Sequence, residues 1–169
     1  MLRHELVITV PGDPAPKGSL KCIGRRGSVA HVLIEDNDRT KPWRDKVSAA
    51  VRRAHPEPAS PGQPLCADVT FTLARPKSHY GTGRNVNRVR PAAPAWPTSH
   101  ATGDVDKLLR LILDALQDAG LVPDDSAIVT VTTTKAYPTE TDVGGVYAPD
   151  VLAWPGVRIR LYPIQTGAL

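Results

Sequence analysis

A chain of 169 residues, 41% of them hydrophobic and 22% charged, is long enough to bury a core and too ordinary in composition to be fibrous or disordered, so one domain spanning 1–169 is expected. No apolar run approaches the length of a membrane span, and MLRHELVITV passes from charge straight into a strand-like pattern; both features point away from a membrane protein and a signal peptide and towards the cytoplasm. The net charge of +4 suits a polyanionic partner, whereas Cys22 and Cys66 have no paired-ligand spacing and suggest neither zinc nor a disulfide framework.

Taken in order, Glu5 to Val10 is a β-branched run ended by Pro11-Gly12 and reads as a first strand. The following PGDPAPKGSLK, Pro11 to Lys21, is too rich in proline and glycine for regular structure. Lys17 and Lys21, with Arg25 and Arg26 beyond them, make a cationic loop that either meets phosphates or is a solvated turn. Val29 to Ile34 is a short strand candidate. Thr40, with Pro42 in the first turn, starts a helix running to about His55. It buries Trp43, Val47, Ala50, Val51 and Ala54 and exposes Arg44, Lys46, Arg52 and Arg53. After a proline-rich surface connection, Leu65 to Leu73 alternates as a strand.

Residues 75–103 form a long basic loop without periodicity. Arg75, Lys77, Arg84, Arg88 and Arg90 supply charge, while His79, Tyr80 and Trp96 supply rings suited to stacking on bases. A loop of this length inside a compact domain is usually either functional or disordered, and its place just before the acidic segment favours a flap that orders on substrate.

The stretch around which the chain is organised follows: GDVDKLLRLILDALQDAGLVPDD, Gly103 to Asp125. From Val105 to Ala119, Val105, Leu108, Leu109, Ile112, Ala115, Leu116 and Ala119 recur at steps of three and four, which is the buried face of a helix. Asp106, Arg110, Asp114 and Asp118 form a polar stripe opposite. Asp104 occupies the N-cap position and Gly120 the stop. A lone Asp104 has an ordinary role as a cap; a second carboxylate at Asp106, with no basic residue closely preceding the pair, is the arrangement hard divalent cations use. Asp124-Asp125, after Pro123, reads equally as turn chemistry. Ala127 to Ala136 is then a Val/Thr-rich strand, Tyr137 to Pro155 a loop, and Val157 to Tyr162 a last strand with Arg158 and Arg160 on a basic face. The order strand, strand, helix, strand, helix, strand, strand argues for an α+β fold: a mostly antiparallel or mixed sheet against two main helices, rather than a parallel wind. The absence of a 12-residue ligand loop argues against an EF-hand calcium sensor.

These residues resemble the RusA-type Holliday junction resolvases, small endonucleases common in bacterial prophages and phages. The likeness is carried by the first strand with VPGDPAPKG, by ARPK ahead of the acidic segment, and by Asp-x-Asp, a helix containing DAL, a glycine and a closing DD. The resemblance implies a RusA-like fold and an Mg²⁺-dependent endodeoxyribonuclease, with Mn²⁺ as the alternative ion. It also implies a four-way DNA junction as substrate, resolved by paired nicks in recombination and repair. By the same likeness Asp104, Asp106 and Asp125 correspond to metal-binding catalytic aspartates, and Lys17, Arg75, Lys77 and Lys107 are assigned to DNA. Two departures stand out: Lys107 occupies the family's usual asparagine position after the second aspartate, and Arg110 replaces a catalytically important lysine, keeping the charge but not the geometry.

The helix sets a difficulty. At about 1.5 Å per residue, Val105 to Ala119 separates the two aspartate groups by ~22 Å. Either the chain doubles back or a second subunit of a homodimer supplies Asp125. The rival functions are a junction-binding protein that has lost catalysis, suggested by Lys107, and a nucleotidyltransferase, which also uses Asp-x-Asp but usually places it on a strand.

Overall fold

The computed structural model describes residues 2, 4–18, 20–22, 24, 33–35, 37–55, 57–138 and 150–164. Four strands form the main sheet: β1 (Leu6–Pro11), β4 (Leu65–Thr72), β5 (Ile128–Ala136) and β6 (Gly156–Pro163), in the order β1-β6-β4-β5. β6 pairs antiparallel with both β1 and β4, whereas β4 and β5 run parallel. Helices α1 (Thr40–Ala54) and α2 (Val105–Asp118) supply the helical layer. The expected α+β class with a mixed sheet and two main helices is what the chain adopts.

The one parallel pair of this mixed sheet joins β4 to β5 through α2 as a single βαβ unit. One detail differs from the sequence expectation: the proline-rich stretch to Lys21 reads as irregular, yet Leu20–Cys22 is a strand, β2, paired antiparallel with β3 (Leu33–Glu35). Three-residue strands are defined by their partner rather than by any local period, so no pattern within Pro11 to Lys21 announces one. Arg25, Arg26, most of the Val29 to Ile34 candidate, and Gly144-Gly145 lie outside the described residues.

The core is a sandwich of the sheet's inner face against the two helices. Ile8 and Val10 of β1, Leu65, Ala67, Val69 and Phe71 of β4, and Val157, Ile159 and Leu161 of β6 are buried, each set spaced by two as the pleat requires. Helix α2 closes on them with Leu108, Leu111, Ile112, Ala115 and Leu116. The buried stripe is thus rotated slightly from the expected one: Leu111 is in, while Val105, in the first turn, is 37% exposed. On α1, Trp43, Val47 and Val51 are buried as expected, Ala54 is exposed, and Ser48 is buried, its Oγ donating to the Ala115 carbonyl at 3.0 Å. Gly120, at φ 74°, ends α2: its N–H reaches the Gln117 carbonyl at 2.8 Å and that of Leu121 the Leu116 carbonyl at 3.1 Å, the paired bonds of a Schellman turn.

The basic face expected on the last strand is neutralised. Asp150, held in the left-handed region at φ 69°, accepts from Arg160 Nε at 2.5 Å and Nη2 at 2.6 Å and from Arg158 Nη1 at 3.3 Å. Arg160 also reaches Glu5 at 2.8 Å. The Arg160 hydrogen bonds, against some opposition from burial, hold the Asp150 carboxyl below the usual carboxylate range. A depressed folded-state pKa stabilises fully above the unfolded value of about 3.9 and ceases to do so as pH falls through the folded value. Asp150→Asn should therefore cost about 1 kcal/mol at neutral pH. In denaturant titrations followed down from neutral pH, the gap to wild type should close below about pH 4.

Candidate metal centre at the start of α2

The proline-rich loop after β1 is what fixes the first turn of α2. The Pro14 carbonyl accepts from Arg39 Nη2 at 3.2 Å, and that of Pro16 from Asn37 Nδ2 at 3.2 Å and Thr40 Oγ1 at 3.1 Å, so the loop is strapped to the start of α1. Its other side meets α2: the Lys17 N–H donates to the Lys107 carbonyl at 3.0 Å. The Pro16 ring lies where a Cβ on Gly103 would fall, 3.1 Å away, and Gly103 has φ 76°. Only glycine meets both demands immediately before Asp104.

Asp104 sits at the N-cap position, but its carboxylate accepts no backbone N–H. The capping role open to it in sequence is not taken. Lys107 Nζ lies 3.1 Å from Oδ2 instead. That hydrogen bond and charge, with His100 and Lys135 also near, hold the carboxyl below its usual range. The pair therefore does have a counter-charge, supplied from three residues downstream of Asp104 rather than by any residue preceding it. Asp106, in the same first turn, is exposed and forms no side-chain hydrogen bond or ion pair among the described residues. Arg110, one turn further along the same face, is likewise exposed and unpaired among them.

The rest of the polar stripe is structural. Asp114 takes Lys17 Nζ at 2.6 Å. Asp118 takes the Arg44 guanidinium in a fork, with Nη2 at 2.6 Å and Nε closer still, and the Asp118 carbonyl accepts from Arg52 at 2.5 Å. The charges of α1 expected to face solvent thus clamp α1 to α2. The stripe divides in two: its far half binds the helices together, and its near half, Asp106 and Arg110, is left open.

Asp124 and Asp125 also divide. Asp124 caps the 3-10 turn Asp125–Ala127 by accepting from the Ser126 N–H at 3.0 Å, and hydrogen bonding from the Ser126 side chain, together with that N–H, holds its carboxyl low. Asp125 follows it, exposed. The turn precedes β5, and the other end of β5 returns to the start of α2, where Lys135 Nζ donates to the Gly103 carbonyl at 2.7 Å. Asp125 therefore lies at the far end of a 14-residue helix from Asp104 and Asp106. Among the described residues no three His, Cys, Asp or Glu side chains are gathered closely enough to hold a metal ion.

Of the cations assigned to DNA, Lys17 is paired with Asp114 and Lys107 with Asp104, while Lys77 stands exposed. Arg75 is half-buried: its guanidinium lies 4.3 Å over the Tyr137 ring and Nη1 donates to the Pro94 carbonyl at 3.0 Å. It anchors the long loop. His79 packs edge-on against the same ring, 5.6 Å between centroids, and burial, with Arg75 and Arg90 nearby, lowers its pKa. The expected stacking platform is therefore partly spent inside the loop. Lys135 and His100 were missed altogether. The signal for Lys135 was slight: it is the only charged residue of β5, and alternation with Val131 and Thr133 puts it on the helix side.

Oxygen-only donors suit a hard divalent cation, and Asp104 and Asp106 fit one in type and exposure, as two of the ligands such an ion needs. No helix among the described residues is long and apolar enough to cross a membrane. No curated protein matches the chain. The family model described as endodeoxyribonuclease RusA matches residues 11–144, from the proline-rich loop past the end of β5. The chain accordingly belongs to the RusA endodeoxyribonuclease family, structure-specific nucleases that act on the phosphodiester bonds of Holliday junctions.

Proposed function

We propose that this chain is a single nuclease domain that works as a homodimer, resolving four-way DNA junctions by paired symmetric nicks that depend on Mg²⁺ or Mn²⁺. The observation that carries this reading is the open first turn of α2, where Asp104 escapes capping and Asp106 and Arg110 are unpaired among the described residues. RusA-family resolvases generally depend on a divalent metal. Asp104 and Asp106, joined by Asp125, would hold it, and the ion would supply Lewis acidity at the phosphate and an activated water near neutral pH. Arg110 offsets charge on the phosphate undergoing attack. With Asp104 engaged as a metal ligand, Lys107 would be free to join Lys77 on the DNA backbone. Lys17 fixes the loop against α2 through Asp114, and Arg75 fixes the long loop 75–103.

The dimer is supported by the edge of the sheet. β5 is an outer strand of 9 residues, free of proline, with Val129 59% and Val131 37% exposed. Long unprotected edges are templates for another strand. Antiparallel pairing of two β5 strands about a two-fold axis would set the start of one beside the end of the other. Asp125 of the partner subunit would then approach Lys135, Gly103 and Asp104. This answers the distance problem better than antiparallel packing of two α2 helices would, because the apolar face of α2 is already buried in its own chain.

A second reading, a junction-binding protein without catalysis, is favoured by the Lys107–Asp104 pair. One assay separates the two: four-way junctions, flaps, duplex and single strands incubated with Mg²⁺ or without it, with nucleoside triphosphate turnover as a control for a transferase. Symmetric incision of the four-way junction only with metal is expected. Tight binding without incision under every metal condition would establish the second reading instead.

A further inference from the structure

Between Asp68 and Asp104 the chain carries no acidic residue, but it does carry Arg75, Lys77, Arg84, Arg88 and Arg90. This span is a folded lobe rather than an open flap. It contains the 3-10 turns Lys77–His79, Gly83–Asn85 and His100–Thr102 and a bridge between Tyr80 and Val89. The Gly81 N–H donates to the Arg88 carbonyl at 2.9 Å, and that of Arg90 to the His79 carbonyl at 2.8 Å, closing the lobe on itself. A Cβ on Gly81 would lie 2.7 Å from the Asn85 carbonyl oxygen, so the chain crosses itself where only glycine fits. Two of the five cations build this fold. Arg75 is held over Tyr137 and on the Pro94 carbonyl, and Arg90 Nη2 bonds the Ser78 carbonyl.

Arg84 and Arg88 are treated differently. Both are exposed at the tip and have no ion pair among the described residues, whereas Arg44, Arg158 and Arg160 are each matched to an aspartate. Between them lie exposed Asn85 and Asn87 and Val86, which is 58% exposed. The tip thus offers hydrogen-bond donors and positive charge with no carboxylate to repel a polyanion. The feet of the lobe stand beside the candidate metal centre: the Leu73 N–H, just after β4, donates to the Ala136 carbonyl at 2.9 Å, and the other foot leads into Gly103 and Asp104. The tip lies beyond the Tyr80–Val89 bridge, away from those feet.

We infer that residues 83–88 are a second DNA-binding site, at which Arg84 and Arg88 grip the phosphates of a duplex arm leading away from the cut strand. It rests on the chain being a junction nuclease, but is tested by a separate measurement. A labelled four-way junction with long arms, and one with arms trimmed to less than a helical turn, are titrated in EDTA with wild type, the double variant Arg84→Ala/Arg88→Ala and the double variant Arg84→Lys/Arg88→Lys. The alanine variant should bind the long-armed junction roughly 10- to 100-fold more weakly and lose about 1.8 from the slope of log K against log salt, as two lost phosphate contacts require. The lysine variant should keep the slope. Binding of the trimmed junction, and the single-turnover cleavage rate at saturating enzyme, should match wild type.

Unchanged binding and slope in the alanine variant would overturn the assignment, as would equal loss on both junctions, which places the contact at the branch point. A fall in the saturating cleavage rate would also overturn it, since the tip would then act on the centre or on the fold. Wild type that binds junctions but never cuts them sinks the nuclease reading, while the slope still scores the tip. Wild type that cuts, beside an alanine variant that binds as well as it does, sinks the tip alone.

Discussion

Asp106→Asn should lower metal-dependent junction cleavage by on the order of 10³-fold while leaving the fold and DNA binding in place. Asp106 forms no side-chain hydrogen bond or ion pair among the described residues and is exposed, so the isosteric change breaks no visible contact. The only structural cost is a favourable charge near the positive end of the α2 dipole, about 0.3–1 kcal/mol. Because a negative charge is removed beside a polyanion, the variant should bind the junction as tightly as wild type or more tightly. The control sits on the same helix face. Asp118→Asn cuts the fork to Arg44 and should lower thermal stability while leaving the cleavage rate of the folded enzyme unchanged. Single-turnover cleavage, anisotropy titration and thermal melting on the two variants check all of this. If Asp106→Asn cuts at the wild-type rate, Asp106 does not hold the metal, and the function proposed for the first turn of α2 loses its main support.

What the sequence disclosed and what it withheld follow from how local each feature is. Helix α2 was legible almost to the residue, because a strict three-and-four spacing, a stop glycine and a cap-type aspartate are local signals. The longer strands β1, β4, β5 and β6 were legible through alternation and β-branching, and so was the distance separating Asp125 from Asp104. The sheet order and the parallel pairing of β4 with β5 were not, since pairing depends on residues far apart in sequence. The same cause hid β2 and the role of Lys135, whose ammonium meets the Gly103 carbonyl only once β5 has returned along α2. Arg75 read as a DNA contact because charge is visible in sequence, whereas an aromatic ring 62 positions away, at Tyr137, is not. The lobe 75–103 showed no period because 3-10 turns and proline-set corners carry none. The Lys107–Asp104 pair is a different case: it is an i, i+3 contact that helix geometry alone makes available.

Mixing two inactive proteins should regenerate cleavage if Asp125 serves the partner's centre. Asp104→Asn and Asp125→Asn homodimers each carry two defective sites wherever Asp125 acts, so neither should cut alone. In a heterodimer with exchanged aspartates, one site receives both substitutions and the other neither. Random reassortment makes half of the dimers heterodimers, so about one quarter of all sites become wild type. The products should also change. A dimer with one working site nicks one strand of the junction but cannot make the paired, symmetric cut, so nicked junctions should accumulate over resolved duplexes. If instead each chain completes its own centre, every site in the mixture lacks one aspartate and no activity returns. Failure to exchange subunits would mimic that second result; co-expressing the two variants with different affinity tags and purifying through both gives heterodimers directly. For this species the expectation is about half the wild-type sites, with a product pattern dominated by single nicks. Loss of β5 pairing should remove the rescue as well. Val131→Lys puts a charge on the strand the dimer is proposed to use, so it should shift the protein towards monomer by sedimentation and abolish cleavage by the co-expressed pair, whereas a dimer built on another surface would be indifferent to it.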